Sequence, residues 1–114
     1  MEIKTSISNE IFLVKLFGDL NGYDSGDEFK KCLDEAIKQS ITKVAIDFSE
    51  CGRADSTGIG TLIMAYKKLQ QKNGEVVLLC LNDFLQDIVS ITKLDGVFKI
   101  FNSYKEAEEY FSAK

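Results

Sequence analysis

A chain of 114 residues with 45% hydrophobic and 28% charged residues has material for one conventional core and lacks the composition of a disordered or collagen-like chain. It contains no histidine, which excludes Ser-His-Asp and Cys-His nucleophiles, histidine general bases and two-histidine metal sites from within this chain. Its net charge of -4 repels phosphate backbones and anionic headgroups, so neither nucleic acid nor a membrane is an expected partner.

The amino terminus, Met1 to Asn9, alternates polar and apolar residues, and no segment approaches the run of about 18 apolar residues of a membrane span. Ile3 to Ile7 and Ile11 to Phe17 alternate around Ser8-Asn9-Glu10, which predicts an antiparallel hairpin. After the polar stretch Asp19 to Asp27, Asp24 or Ser25 can cap a helix that buries Phe29, Cys32, Leu33, Ala36 and Ile37. Val44 to Phe48 is a short β-prone run suited to a strand covered on both faces. From Ser56, the apolar positions Ile59, Leu62, Ile63, Tyr66 and Leu69 recur at helical spacing and stop at Asn73-Gly74, a C-cap signal. Val76 to Leu81 predicts a further strand. Asp83 to Thr92 follows as a helix carrying Phe84, Leu85, Ile88 and Ile91, and Val97 to Phe101 is a last strand. Ser103 with Glu106 forms the S-x-x-E box that starts a terminal helix burying Ala107, Tyr110 and Phe111.

The order β-β-α-β-α-β-α-β-α defines a single small α/β domain over 1–114, with a mixed, mostly parallel sheet and helices on both faces. The three cysteines are widely spaced with no C-x-x-C pair, which removes the signatures of zinc and thioredoxin-type sites and suits a reducing cytoplasm. Cys32 and Cys80 read as small core residues, and Cys51 as a partly exposed loop residue. Residues 1–57 hold seven Lys/Arg against eleven Asp/Glu, while residues 58–114 hold seven of each, so the excess charge is amino-terminal. Lys67, Lys68 and Lys72 read as the solvated face of the second helix.

In a parallel sheet, functional groups collect in loops at the carboxyl ends of strands. Two such loops are polar here: Gly18-Asp19-Leu20-Asn21-Gly22-Tyr23-Asp24 and Ser49 to Thr57, the second ending in Asp55-Ser56-Thr57-Gly58-Ile59-Gly60 at the start of the clearest helix. Ser56 sits where an N-cap or first-turn residue belongs, so its hydroxyl can serve as a cap or as a phosphate acceptor. Gly58 and Gly60 allow a neighbouring backbone to come close. Asp19, Asp24, Asp47 and Asp55 are acidic neighbours in this part of the sequence. Tyr23 reads equally as an interface anchor or as a lid over the core.

Val44-Ala45-Ile46-Asp47-Phe48-Ser49, followed after six residues by Ser56-Thr57-Gly58-Ile59-Gly60-Thr61-Leu62, resembles the central signature of the STAS domain of bacterial anti-sigma-factor antagonists. Phe17-Gly18-Asp19-Leu20-Asn21 resembles the family's G-x-L-D segment, with Asn21 where aspartate is frequent, and Cys51-Gly52-Arg53-Ala54 replaces a more apolar stretch. The resemblance implies a cytoplasmic, non-enzymatic protein that binds an anti-sigma factor which is also a serine kinase. That kinase would phosphorylate Ser56, a serine phosphatase would reverse the modification, and only the unmodified form would capture the kinase and so regulate transcription. Thr57 is a second hydroxyl beside it, and the family position selects Ser56. The implied partner surface comprises Asp19, Asn21, Tyr23, Asp55, Ser56, Thr57 and Gly58, with no metal, cofactor or small-molecule substrate. The alternative is a STAS-like scaffold subunit of another bacterial signalling complex in which Ser56 is never modified.

Other functions lack their residues. A response-regulator receiver could use Asp47 at the end of its strand, but the chain offers Leu81-Asn82 and Phe101-Asn102 where a hydroxyl and a lysine are required; Asp47 then serves to accept from loop backbone. A G-x-S-x-G hydrolase elbow would need glycine at Ala54. Gly58-Ile59-Gly60-Thr61-Leu62-Ile63 lacks the third glycine of a dinucleotide fingerprint.

Overall fold

Antiparallel pairing begins where alternation is cleanest. The computed structural model describes residues 2–21 and 26–113, so the expected helix cap at Asp24 or Ser25 and the placement of Tyr23 lie outside the described residues. Strands β1 (Glu2–Ser8) and β2 (Ile11–Phe17) form the hairpin, with Ser8 opposite Ile11 and Glu2 opposite Phe17. Helix α1 (Gly26–Lys38), β3 (Lys43–Glu50), α2 (Ser56–Gln71), β4 (Glu75–Leu79), α3 (Asp83–Ile91), β5 (Lys99–Phe101) and α4 (Tyr104–Ser112) follow. The strand order is β1-β2-β3-β4-β5, antiparallel between the first two and parallel thereafter. This is the mixed, mostly parallel α/β sheet expected from the element order.

Alternation along each strand decides which face it serves. Phe12, Val14 and Leu16 of β2, Val44, Ile46 and Phe48 of β3, and Val76 and Leu78 of β4 join one core with Phe29 and Leu33 of α1, Leu62 and Leu69 of α2, and Leu85 and Val89 of α3. The interleaved residues Ile11, Ala45, Val77 and Leu79 point to the other face, where Ala107 and Phe111 of α4 cover them. Asp34 and Lys68 join α1 to α2 at 2.9 Å, so Lys68 is half-buried rather than part of a wholly solvated face. That hydrogen bond also holds the Asp34 carboxyl below its ordinary range.

Several boundaries differ from the sequence expectation. β4 stops at Leu79 instead of Leu81 because Cys80 takes a left-handed φ of 61° while its N–H donates to the Phe101 carbonyl at 2.9 Å. β5 starts at Lys99 because Leu94–Gly96 forms a short 3-10 turn whose Leu94 carbonyl accepts from Val97 and Phe98. In α3 the buried pair is Leu85 and Val89; of the apolar residues at helical spacing, Phe84 and Ile91 are 40% and 76% exposed. The cysteines are also reversed: Cys51 is buried, and Cys32 and Cys80 are half-buried, all three as free thiols. Burial raises each thiol pKa above its ordinary value, which disfavours a thiolate nucleophile. At the end of α2, Asn73 supplies the left-handed residue (φ 58°), while Gly74 is required because a Cβ there would lie 2.5 Å from the Thr42 carbonyl oxygen.

The β1–β2 turn places Asn9 and Glu10 at φ 53° and 67°, the geometry of a two-residue primed turn in which the second position favours glycine. Glu10 gains only an exposed ion pair to Lys43 at 3.7 Å. Glu10→Gly is therefore expected to stabilise the domain by about 0.5–1 kcal/mol, read as a higher midpoint in urea denaturation with an unchanged slope.

Candidate functional site

The two polar loops are stitched together by backbone. The Gly18 N–H donates to the Glu50 carbonyl at 3.0 Å, the Leu20 N–H to the Arg53 carbonyl at 2.9 Å, and the Asp55 N–H back to the Leu20 carbonyl at 3.2 Å. Leu20 and Ala54 thus form an isolated parallel bridge that extends the β2–β3 pairing beyond the strands themselves. Between Lys15↔Asp47 and Phe17↔Glu50 the register slips by one residue, and Asp47 Oδ1 accepts from the Ser49 N–H at 2.8 Å within this irregularity. Asp47 therefore accepts from loop backbone. Its side chain alternates with Val44, Ile46 and Phe48, away from the face that α2 covers. Of the four carboxylates grouped in sequence, Asp19 and Asp55 share a cleft, Asp47 stands on the other sheet face, and Asp24 lies outside the described residues.

The α2 N-terminus resolves which residue caps. Asp55 is the N-cap, with extended backbone, and its Oδ1 accepts from the Gly58 N–H at 2.7 Å. Ser56 is thereby the first helical residue and is exposed, and no described residue hydrogen-bonds its hydroxyl. Capping is done by the aspartate, and the serine is free of that task. Thr57 is exposed as well; its carbonyl accepts from the Thr61 hydroxyl at 3.1 Å.

Gly58 has the close-approach role expected of it from the sequence. It is buried, and a Cβ built on it would lie 2.1 Å from the Leu20 carbonyl oxygen, so its lack of a side chain is what lets α2 abut the first loop. Gly60 does not share this role, since a Cβ there meets nothing within 4 Å.

Asp19, Asn21 and Asp55 line a cleft of about 250 Å³ with Leu20, Arg53, Ala54 and Phe84. Asp19 and Asp55 are exposed and Asn21 is half-buried. The Arg53 guanidinium lies 5.1 Å from the centre of the Phe84 ring, a cation–π stack on the cleft rim. Asn82 caps α3 by accepting from the Leu85 N–H at 2.8 Å and donates its side-chain amide to the Gly52 carbonyl at 3.0 Å, so α3 is tied to the same loop. Phe84 was missed as a site residue. The available signal was that it falls one residue ahead of the Leu85/Val89 stripe. Among the described residues, no group of His, Cys, Asp or Glu converges to hold a metal ion, and no helix is long and apolar enough to cross a membrane.

The STAS domain family model matches residues 2–107, and the chain belongs to that family. The anti-sigma-B factor antagonist of Listeria monocytogenes is 32% identical over 103 residues, covering 90% of this chain and 88% of that protein. The solution structure of the Thermotoga maritima protein TM1081 superposes with a TM-score of 0.88 at 22% identity, covering 100% of this chain and 91% of that one. The phosphorylated form of the Bacillus cell-fate determinant SpoIIAA gives a TM-score of 0.76 at 20% identity, covering 96% and 99%. At those identities the two structures attest the fold.

Two substitutions separate geometry from composition. Gly58→Ala is expected to destabilise the domain by more than about 3 kcal/mol, whereas Gly60→Ala should stabilise it by about 0.5–1 kcal/mol; chemical denaturation of both variants reads the contrast. Asp55→Ala should lose about 1 kcal/mol of helix capping while Asp55→Asn stays within a few tenths of wild type, and equal losses for both would contradict the cap.

Proposed function

We propose that this chain is an anti-sigma-factor antagonist, a binding module rather than an enzyme, whose capture of its partner is switched by phosphorylation of Ser56. The observation that carries the reading is the division of labour at the α2 N-terminus: Asp55 supplies the cap, leaving the Ser56 hydroxyl exposed and without a partner among the described residues. The name of the Listeria relative supports the class of function. The partner is an anti-sigma factor that is also a serine kinase, a serine phosphatase resets the switch, and the setting is cytoplasmic.

Phosphate suits this position without refolding the domain. At the first residue of a helix, its charge is favoured by the helix dipole and the free first-turn amides. It also follows Asp55, which lines the cleft with Asp19, and so adds charge to an acidic surface facing the partner. A phosphoserine of about -1.7 charge, placed ~6 Å from a carboxylate at an effective dielectric of roughly 40, is repelled by about 2–3 kcal/mol. One such contact with a carboxylate on the partner weakens binding roughly thirty- to a hundredfold. The surface engaged comprises Asp19, Asn21, Tyr23, Asp55, Ser56 and Thr57, with Gly58 setting the backbone spacing beneath it.

Binding to the anti-sigma factor from the same cell, measured by calorimetry, is expected to persist in Ser56→Ala and to fall at least about thirtyfold in Ser56→Asp. Incubation with that kinase and ATP should place the phosphate on Ser56 by mass spectrometry. Equal affinity for the two variants, or phosphate on another residue, overturns the reading in favour of a scaffold that is never modified at Ser56.

A further inference from the structure

The sheet has two edges, β1 and β5, and they are protected unequally. β5 is only three residues long, which leaves little to pair with, whereas β1 runs for seven residues without proline. The two-residue hairpin makes Ser8 and Ile11 the closing hydrogen-bonded pair, so Ser8, Ser6, Lys4 and Glu2 address β2. The same alternation directs the N–H and C=O groups of Ile3, Thr5 and Ile7 outward. Beside this edge, a groove of about 390 Å³ runs between β1 and α1, with Lys31 and Glu35 on its helical rim. Ile7, which lines it, is 51% exposed.

We propose that β1 pairs with β1 of a second copy of this chain, antiparallel about a twofold axis through Thr5, so that one sheet continues across both copies. A twofold axis normal to the sheet pairs only residues on the same face. Centred on Thr5, it uses the full strand and sets Glu2 opposite Ser8, Ile3 opposite Ile7, and Lys4 opposite Ser6. Every outward-facing backbone group of β1 then finds a partner, and Ile3 of the other copy covers the exposed Ile7. A register centred on Lys4 would set two lysines against each other, and one centred on Ser6 would leave Glu2 and Ile3 unmatched. The same axis runs the two α1 helices antiparallel and turns Lys31 of one copy toward Glu35 of the other, an opposite-charge match. The axis crosses the middle of β1, whereas Ser56 lies beyond the carboxyl end of β3, so the dimer leaves the switch site open.

Sedimentation equilibrium of the full chain, from low micromolar to millimolar concentration, is expected to show the mass rising from 12.8 kDa toward twice that value. Thr5→Lys and Thr5→Glu each place like charges across the axis and should dimerise about fivefold or more weakly. An equimolar mixture of the two should recover the dimer, because lysine then meets glutamate. Thr5→Pro removes the hydrogen bonds at the axis without touching the ladder to β2 and should remain monomeric with a wild-type far-UV spectrum. A wild type that stays monomeric throughout, single variants that dimerise like wild type, or a mixture that fails to associate each overturns the proposal.

Discussion

The approach of the α2 N-terminus to the Leu20 carbonyl is the constraint on which the rest of the site depends. At Gly58 there is no space for even one carbon, since a Cβ would stand 2.1 Å from that oxygen. The oxygen also accepts from the Asp55 N–H, while the Leu20 N–H is tied to Arg53. A loop after one strand and a loop after its neighbour thus become a single rigid edge. The start of α2 is fixed by main chain, the least adjustable material available. Asp55 is then held at the cap, and Ser56 follows it onto the outside of the first turn.

Under the proposed switch, this arrangement lets a change of charge act on a docked partner without altering the fold. The core that positions α2 consists of Ile59, Leu62, Ala65 and Leu69 packed on the sheet, and all four are buried. Ser56 and Thr57, the exposed residues of the first turn, take no part in that packing. A modification there is felt first by whatever docks on the loops. The cleft beside it is furnished with Arg53 stacked on Phe84, and Asn82 links the α3 cap to the Gly52 carbonyl. Within Cys51-Gly52-Arg53-Ala54, Cys51 goes inward and Arg53 joins α3 to the rim of the cleft through the Phe84 ring.

Amphipathic periodicity determined much of the fold by itself. The span of β2, the start of α2 at Ser56, the Ser103 cap of α4 and the two-faced burial of the parallel strands follow from side-chain spacing and cap chemistry, which act over a few residues. The loop motif likewise marked Asp55 and Ser56 as the start of a helix. Periodicity identifies an apolar side chain, but only packing says whether a neighbour covers it. Phe84 and Ile91 share the helical spacing of Leu85 yet stay exposed, and Cys51, expected to be partly exposed, is buried where the Leu20–Ala54 bridge folds its loop inward. The end of β4 is set by the left-handed Cys80, whose N–H bonds to the Phe101 carbonyl of the neighbouring strand, and the start of β5 by the local turn at Leu94, whose carbonyl accepts from Val97 and Phe98. What the tertiary structure adds at α2 is the anchor: the Leu20 carbonyl accepts from the N–H of Asp55, the residue whose Oδ1 caps the helix at the Gly58 amide, and Ser56 is left exposed beside it.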